Sequence, residues 1–179
     1  MADWVHAVER AYVAAATGGV TPPRAASSPR ALAAAGAVAS HFLAVGSPRS
    51  IGLVGGEAAV HSLVAHRTWF NPTDIRCTSG SVAAMTGGRP VPIAEALTAD
   101  IVCIHTPLVL AASQLRRGTH VNALAAVELD EELRAIATVF DEPKGLPALA
   151  VGLVDGRQLD EVTVFLAGDA AIASAALGS

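Results

Sequence analysis

The stretch IGLVGGEAAVHSL, residues 51–63, decides the fold. IGLVG is a short, wholly apolar run, the pattern of a strand buried on both faces, and it breaks at a glycine pair before a helical pattern begins. Strand, glycine turn, helix is the opening unit of a dinucleotide-binding fold. In that unit the first glycine makes the tight bend, the second lets backbone approach a diphosphate, and the third position is small so that helix and sheet pack closely. Gly55 takes the first role, whereas Glu57 falls on the second and Val60 on the third. A carboxylate about 4 Å from a phosphate is opposed by roughly 1 kcal/mol in water and about 4 kcal/mol at a protein-like dielectric. The residue that grips the adenosine ribose should end the second strand, and there the chain has Ser79, with no arginine nearby to suit a 2′-phosphate. The expectation is therefore that the cofactor is lost. A one-residue slip, putting Gly56 in the second role and turning Glu57 outward, would keep NAD(P).

Outward from this turn, strands alternate with helices. A helix is expected near 57–67, strands at 74–79 and 100–105, a short helix at 92–98 and a strand at 119–124. Asp130 caps a helix to about residue 137, TVFDE and EVTVFLA follow as strands with a short helix between them, and GDAAIASAAL closes the chain as a helix. Before the turn, residues 3–16 form an amphipathic helix with Asp3 as its cap, and Ser28-Pro29 opens an Ala-rich helix over about 30–45. The whole reads as a doubly wound, Rossmann-like α/β protein with a mainly parallel sheet, flanking helices and Ala-rich ends packed together. Residues 1–48 make an N-terminal helical segment, 49–160 the Rossmann-like domain, and 161–179 a strand and helix returning to the start.

Composition bounds the function. The chain has 179 residues, 52% hydrophobic but only 4% aromatic, so its core is built from Ala, Val, Leu and Ile, with apolar surface to spare for a homodimer contact. A net charge of −4 without a basic stripe argues against nucleic acid or an anionic membrane as partner. The two cysteines, Cys77 and Cys103, sit in apolar strands without metal or redox spacing, which fits a reduced, cytoplasmic protein. The first helix carries Asp3, Glu9 and Arg10, unlike a signal peptide or a membrane span. No metal is expected: His61 and His66 are five apart, not the four of a HExxH pair, and His6 and His41 lie on terminal helices.

Several segments together resemble the ornithine cyclodeaminase and mu-crystallin family, Rossmann-type proteins that include cyclodeaminases and NAD(P)H-dependent ketimine or amino-acid reductases. AVERAYVAAATGGVTPPR is similar to the family's opening helix and its Gly-x-x-x-Pro-x-Arg continuation, and PRALAAAGAVASHFLA to the helix before the nucleotide fold. RSIGLVGGEA, ADIVCIHTP, LRRGTHVNAL, ELDEEL and EVTVFLAGDAAIASAAL follow in family order. The resemblance implies that Arg24 and Arg30 hold a substrate carboxylate. It also shows what is missing: the family's strands between TPPRAASSP and RALAAAG carry its catalytic lysine, and here the one lysine is Lys144. NALAAVELD has no aspartate before Glu128, where the family keeps a catalytic one.

Open α/β sheets bind ligands at the carboxyl ends of their strands. Glu57 and His105 are expected to meet there as an acid–base pair, with Arg24, Arg30, Ser79, Thr106 and Asn122 as ligand contacts. If a nucleotide is retained, Gly55, Gly56, Ser79 and Thr106 would hold it. The bland alternatives are that Glu57 merely favours the positive start of its helix and that His105 is a satisfied structural histidine. Three functions stay open: a cofactor-free enzyme on a small amino, imino or keto acid, an NAD(P)-dependent imine or ketimine reductase, and a non-catalytic dimeric scaffold.

Overall fold

The structure, a computed structural model, describes residues 2–18, 28–44, 46–142, 145–153, 160–168 and 170–178. Two helices lead in, α1 (Asp3–Ala16) and α2 (Pro29–Leu43), followed by β1 (Ser50–Val54), α3 (Ala58–His66), β2 (Asp74–Cys77), α4 (Gly80–Thr86), β3 (Arg89–Pro90), α5 (Ile93–Ala96) and β4 (Ile101–Ile104). The second half runs β5 (Leu108–Leu110), a 3-10 turn (Ala112–Gln114), β6 (His120–Ala123), β7 (Val127–Leu129), α6 (Glu131–Ile136), β8 (Thr138–Asp141), α7 (Gly145–Ala150), β9 (Thr163–Leu166) and α8 (Ala171–Ala176). Seven strands form one sheet in the order β3-β2-β1-β4-β6-β9-β8, every described pair parallel. Strand order reverses between β1 and β4, so the crevice of this sheet lies where β1 meets the strand that ends before His105. The doubly wound, Rossmann-like fold expected from the alternation is the fold observed.

Local signals explain the boundaries. The Ser28 hydroxyl accepts from the Ala31 N–H at 3.2 Å, and Pro29 takes the first helical position where a missing N–H costs nothing. Asp130 does the same for α6, accepting from Leu133 N–H at 2.7 Å. Asp3 does not cap α1: Ala2 is the cap residue, and Asp3 sits inside the first turn, where its charge still suits the helix dipole. The connection from β6 to α6, which the sequence suggests is direct, contains β7, paired with β5 in a separate two-stranded sheet.

Two cores sandwich the sheet. On one face Leu53, Cys103 and Phe165 pack under α1, α2, α3, α7 and α8; on the other Val54, Val102, Ile104, Val121 and Val164 pack against Leu97, Leu110, Leu129 and Leu133. Small residues permit this closeness. A Cβ on Gly52 would stand 2.1 Å from the Ala96 carbonyl oxygen, so α5 lies directly on β1. The Ala-rich helices α2 and α8 do meet, and α1 joins them through a buried bond: Tyr12 Oη donates to Glu142 at 2.9 Å, and the Ile172 and Ala173 N–H groups donate to the same carboxyl oxygen at 3.1 Å.

Beneath α2 and α3 runs a buried polar chain whose directions can be worked out. His66 Nδ1 lies 2.7 Å from the Ser62 carbonyl oxygen, which can only accept, so Nδ1 carries the proton. Burial lowers the His66 pKa to about 4, so the ring is neutral and Nε2 accepts from the Ser40 hydroxyl at 2.8 Å. Ser40 Oγ in turn accepts from Asn122 Nδ2 at 2.9 Å, and Asn122 Oδ1 accepts from His120 Nε2 at 3.1 Å. His120 Nδ1 lies 2.8 Å from the Thr163 hydroxyl. Ser40, His66, His120, Asn122 and Thr163 are all fully buried.

Candidate functional site

The carboxyl edge gathers three turns. In the first, Gly55 adopts φ +124°, and a Cβ there would stand 3.1 Å from His105 Cβ and 3.2 Å from its carbonyl carbon. Only glycine fits this bend against the neighbouring strand. Its N–H donates to Thr78 Oγ1 at 3.0 Å, which ties the β1 turn to the end of β2. Gly56 is exposed, and a Cβ on it would meet nothing within 4 Å, so the backbone has open space on that side. Glu57 is exposed with ordinary helical torsions, φ −58° and ψ −26°, and forms no side-chain bond to the start of α3. Its carbonyl accepts from Val60 N–H at 3.0 Å and that of Gly56 from Ala59 N–H at 3.0 Å, which closes the first turn.

In the second turn Ser79, half-buried, shares a 2.9 Å hydrogen bond with Ser81. No acidic side chain follows β2 here, as the sequence suggests. In the third, the N–H of His105 donates to the Val54 carbonyl at 2.8 Å, extending the ladder past the last residue of β4. The ring turns inward, with Nε2 2.7 Å from the hydroxyl of buried Ser62 on α3. Burial, helped by the neighbouring imidazoles of His66 and His61, lowers the His105 pKa to about 4, so at neutral pH it is an uncharged donor and acceptor. Thr106 is half-buried beside it.

The expected residues are thus brought together only in part. Gly55, Gly56, Glu57, Ser79, His105 and Thr106 share the carboxyl edge. Among the described residues no hydrogen bond or ion pair joins Glu57 to His105, whose partner is Ser62. Asn122 lies inside the core, with its oxygen taken by His120 and its nitrogen by Ser40. Arg30 is exposed on α2, its guanidinium carbon 4.8 Å from the centre of the Trp4 ring. Arg24 lies outside the described residues, as does Lys144. Two residues that sequence reasoning passed over are Thr78 and Ser62. The signal for Ser62 was present: a hydroxyl among apolar residues on the buried face of a helix needs a partner.

No family model matches the sequence, and no curated protein does. Solved structures match the fold. An archaeal alanine dehydrogenase dimer with bound NAD aligns with a TM-score of 0.82 at 18% identity, covering 98% of this chain and 89% of that one. The Δ1-pyrroline-2-carboxylate reductase of Thermococcus litoralis, in complex with NADH and L-proline, aligns at 0.65 with 20% identity over 82% of this chain and 62% of that one. A probable ornithine cyclodeaminase from Bordetella pertussis Tohama I aligns at 0.71 with 20% identity over 83% and 62%. The chain therefore has the fold of the ornithine cyclodeaminase-like proteins, as its segments suggest, and spans about three fifths of the last two structures.

Proposed function

We propose that this protein binds a nicotinamide dinucleotide along the carboxyl edge of its sheet and works as a shortened imine, ketimine or amino-acid oxidoreductase. The observation that carries the reading is the β1 turn: Gly55 is held at φ +124° against the backbone of His105, and the space beside Gly56 is open. The expectation that the cofactor is absent rested on Glu57 at the second-glycine position and on Ser79 in place of an acidic ribose contact; Glu57 is exposed and makes no side-chain bond to the start of α3. Structures of the same fold carry NAD or NADH. The backbone of Gly55 and Gly56 and the first turn of α3 would hold the diphosphate, and Ser79 would offer a hydroxyl to the adenosine ribose. The nicotinamide ring, when bound, supplies or accepts a hydride. His105, uncharged and fixed by Ser62, would donate or accept one hydrogen bond without adding charge to the site.

A second reading keeps the edge free of nucleotide and uses Glu57 with His105 for proton transfer on a small amino, imino or keto acid. It is favoured by one observation, a carboxylate at the position where the fold asks for its second glycine. Titration with NADH and NADPH, followed by nicotinamide fluorescence, separates the two. Saturable binding supports the first reading. No binding at millimolar nucleotide ends it, and Glu57→Gln and His105→Gln then test the second.

A further inference from the structure

The amino edge of the sheet carries a cleft of its own. β1 and β2 run parallel with Ser50 beside Asp74, so the links that lead into them, residues 46–49 and 69–73, meet at the end opposite the Gly55 turn. The five residues of β1, about 16 Å at roughly 3.3 Å each, separate the two ends. Ser47, Arg49, Trp69, Phe70, Asn71 and Thr73 line a cleft of about 460 Å³ between these links. Its walls are fixed before any ligand arrives. The Arg49 carbonyl accepts from the Thr73 and Asp74 N–H groups at 2.9 and 3.0 Å, and the Arg49 N–H donates to Asp100 at 2.9 Å. The Trp69 ring is stacked on His41, with 4.5 Å between centres at 17°, and stands perpendicular to His6 at 5.3 Å. This framework leaves the polar side chains over. Among the described residues the side chains of Ser47, Arg49, Trp69, Asn71 and Thr73 make no hydrogen bond or ion pair.

We infer that this cleft binds a small phosphate monoester with an apolar body. Its lining is rich in donors and holds no carboxylate: a guanidinium and an indole N–H can only donate, and the Asn71 amide and two hydroxyls can donate as well. The carboxylates that adjoin the two links are already committed, Asp74 to Arg76 at 2.6 Å and Asp100 to Arg116 at 3.3 Å. An anion is the guest that these charges call for. Donors from both links around one guanidinium suit the three oxygens of a tetrahedral phosphate, whereas the two oxygens of a flat carboxylate would be engaged by the Arg49 fork alone. Phe70 and the Trp69 ring supply an apolar wall for the ester group. Walls already held in place lose little freedom when the ligand enters. The inference does not rest on the nucleotide reading, since no residue is shared with the β1 turn.

The experiment is calorimetric titration of the full chain, in phosphate-free buffer, with phenyl phosphate, with inorganic phosphate, which lacks the body, and with benzoate, which lacks the phosphate. Saturable binding of phenyl phosphate is expected, with both other probes weaker. Arg49→Gln should weaken phenyl phosphate about tenfold or more, and Trp69→Phe, which keeps a ring but removes the indole N–H, about threefold or more. Circular dichroism will establish that the variants fold. Trp4→Phe leaves Trp69 as the one tryptophan, and its emission should change along the calorimetric binding curve. No saturable heat with phenyl phosphate at tens of millimolar overturns the inference. So does unchanged affinity in folded Arg49→Gln, binding of benzoate or inorganic phosphate as tight as that of phenyl phosphate, or saturation without a change in Trp69 emission. NADH titration of Arg49→Gln should match the unaltered protein, so failure at this cleft is distinguishable from failure at the carboxyl edge.

Discussion

Replacing Glu57 by Gln isolates one charge at the β1 turn and gives two very different numbers for the two states that residue can occupy. If the carboxylate fills the diphosphate position, it repels a phosphate about 4 Å away at a protein-like dielectric, and its removal should gain about 4 kcal/mol. That is nearly a thousandfold in affinity at about 1.4 kcal/mol per decade. The structure instead leaves Glu57 exposed at the start of α3, with open space beside Gly56. Water then screens the same pair to about 1 kcal/mol, roughly a fivefold gain. The assay is NADH fluorescence titration of both proteins at low and at 1 M salt, where the screening length drops to about 3 Å and even the fivefold difference should fade. The glutamine keeps the size of the side chain, so space is unchanged. Loss of a favourable charge at the helix start should lower stability by about 0.3–1 kcal/mol, which a urea titration will register separately. A gain near a thousandfold, or binding that exists only in Glu57→Gln, would refute the exposed geometry and restore the cofactor-free reading.

Gly55→Ala places a Cβ 3.1 Å from that of His105 at φ +124°; a destabilisation of about 1–3 kcal/mol is expected, with loss of nucleotide binding, by urea unfolding and fluorescence. Asn122→Ala removes the acceptor of His120 Nε2 and one donor to Ser40 Oγ inside the core, with an expected cost of about 1–3 kcal/mol; unfolding with the stability of the parent would dismiss the directed chain. Ser62→Ala frees His105 Nε2, and its expected mark is a changed ring-proton signal in NMR with secondary structure intact. For pH, His66 and His105 are both depressed from about 6.5 to about 4. The unfolded chain then binds protons that the fold refuses, so stability is full above about 6.5 and falls as the pH drops to 4. Each histidine is expected to contribute up to about 3 kcal/mol of that fall at about 1.4 kcal/mol per unit. Urea midpoints at pH 7 and pH 5 measure it, and His66→Gln should flatten the slope.

Much of this fold was legible because its signals are local. Ser28-Pro29 and Asp130 mark helix starts through caps that depend on a few neighbouring atoms, and both form as expected. IGLVG and IVCI are buried on both faces, so composition alone identifies them as strands of a covered parallel sheet. The short β5 and β7 escaped because three residues carry no period, and their pairing joins segments nearly twenty positions apart. The turn after β1 was legible in its residues but not in its geometry: residue types alone do not say that Glu57 stands exposed just before α3 with helical torsions and no cap bond. The partner of His105 was hidden for the same kind of reason. Glu57 is nearer in the expected topology, yet Ser62, one and a half turns along α3, presents its hydroxyl to the buried ring.

The polar chain also bears on why so bland a composition settles into one arrangement. An interior of alanine and valine offers few large side chains to fix how a helix slides on a sheet, and small residues at many buried positions of α2 would tolerate neighbouring registers. Hydrogen bonds are less tolerant. Sliding α2 by one residue removes Ser40 from between His66 and Asn122, leaves polar groups unpaired in the core, and costs about 1–3 kcal/mol for each. Asn122 stands beside Cys103 and Phe165 in the sheet register, so the chain fixes α2 to the middle of the sheet rather than to an edge. His66 ends α3, whose other end carries the Gly55 turn and whose Ser62 holds His105. The second helix and the carboxyl-edge site are therefore held in one frame, and mutations at Ser40 should disturb the His105 ring signal although the hydrogen bonds of its side chain go to His66 and Asn122.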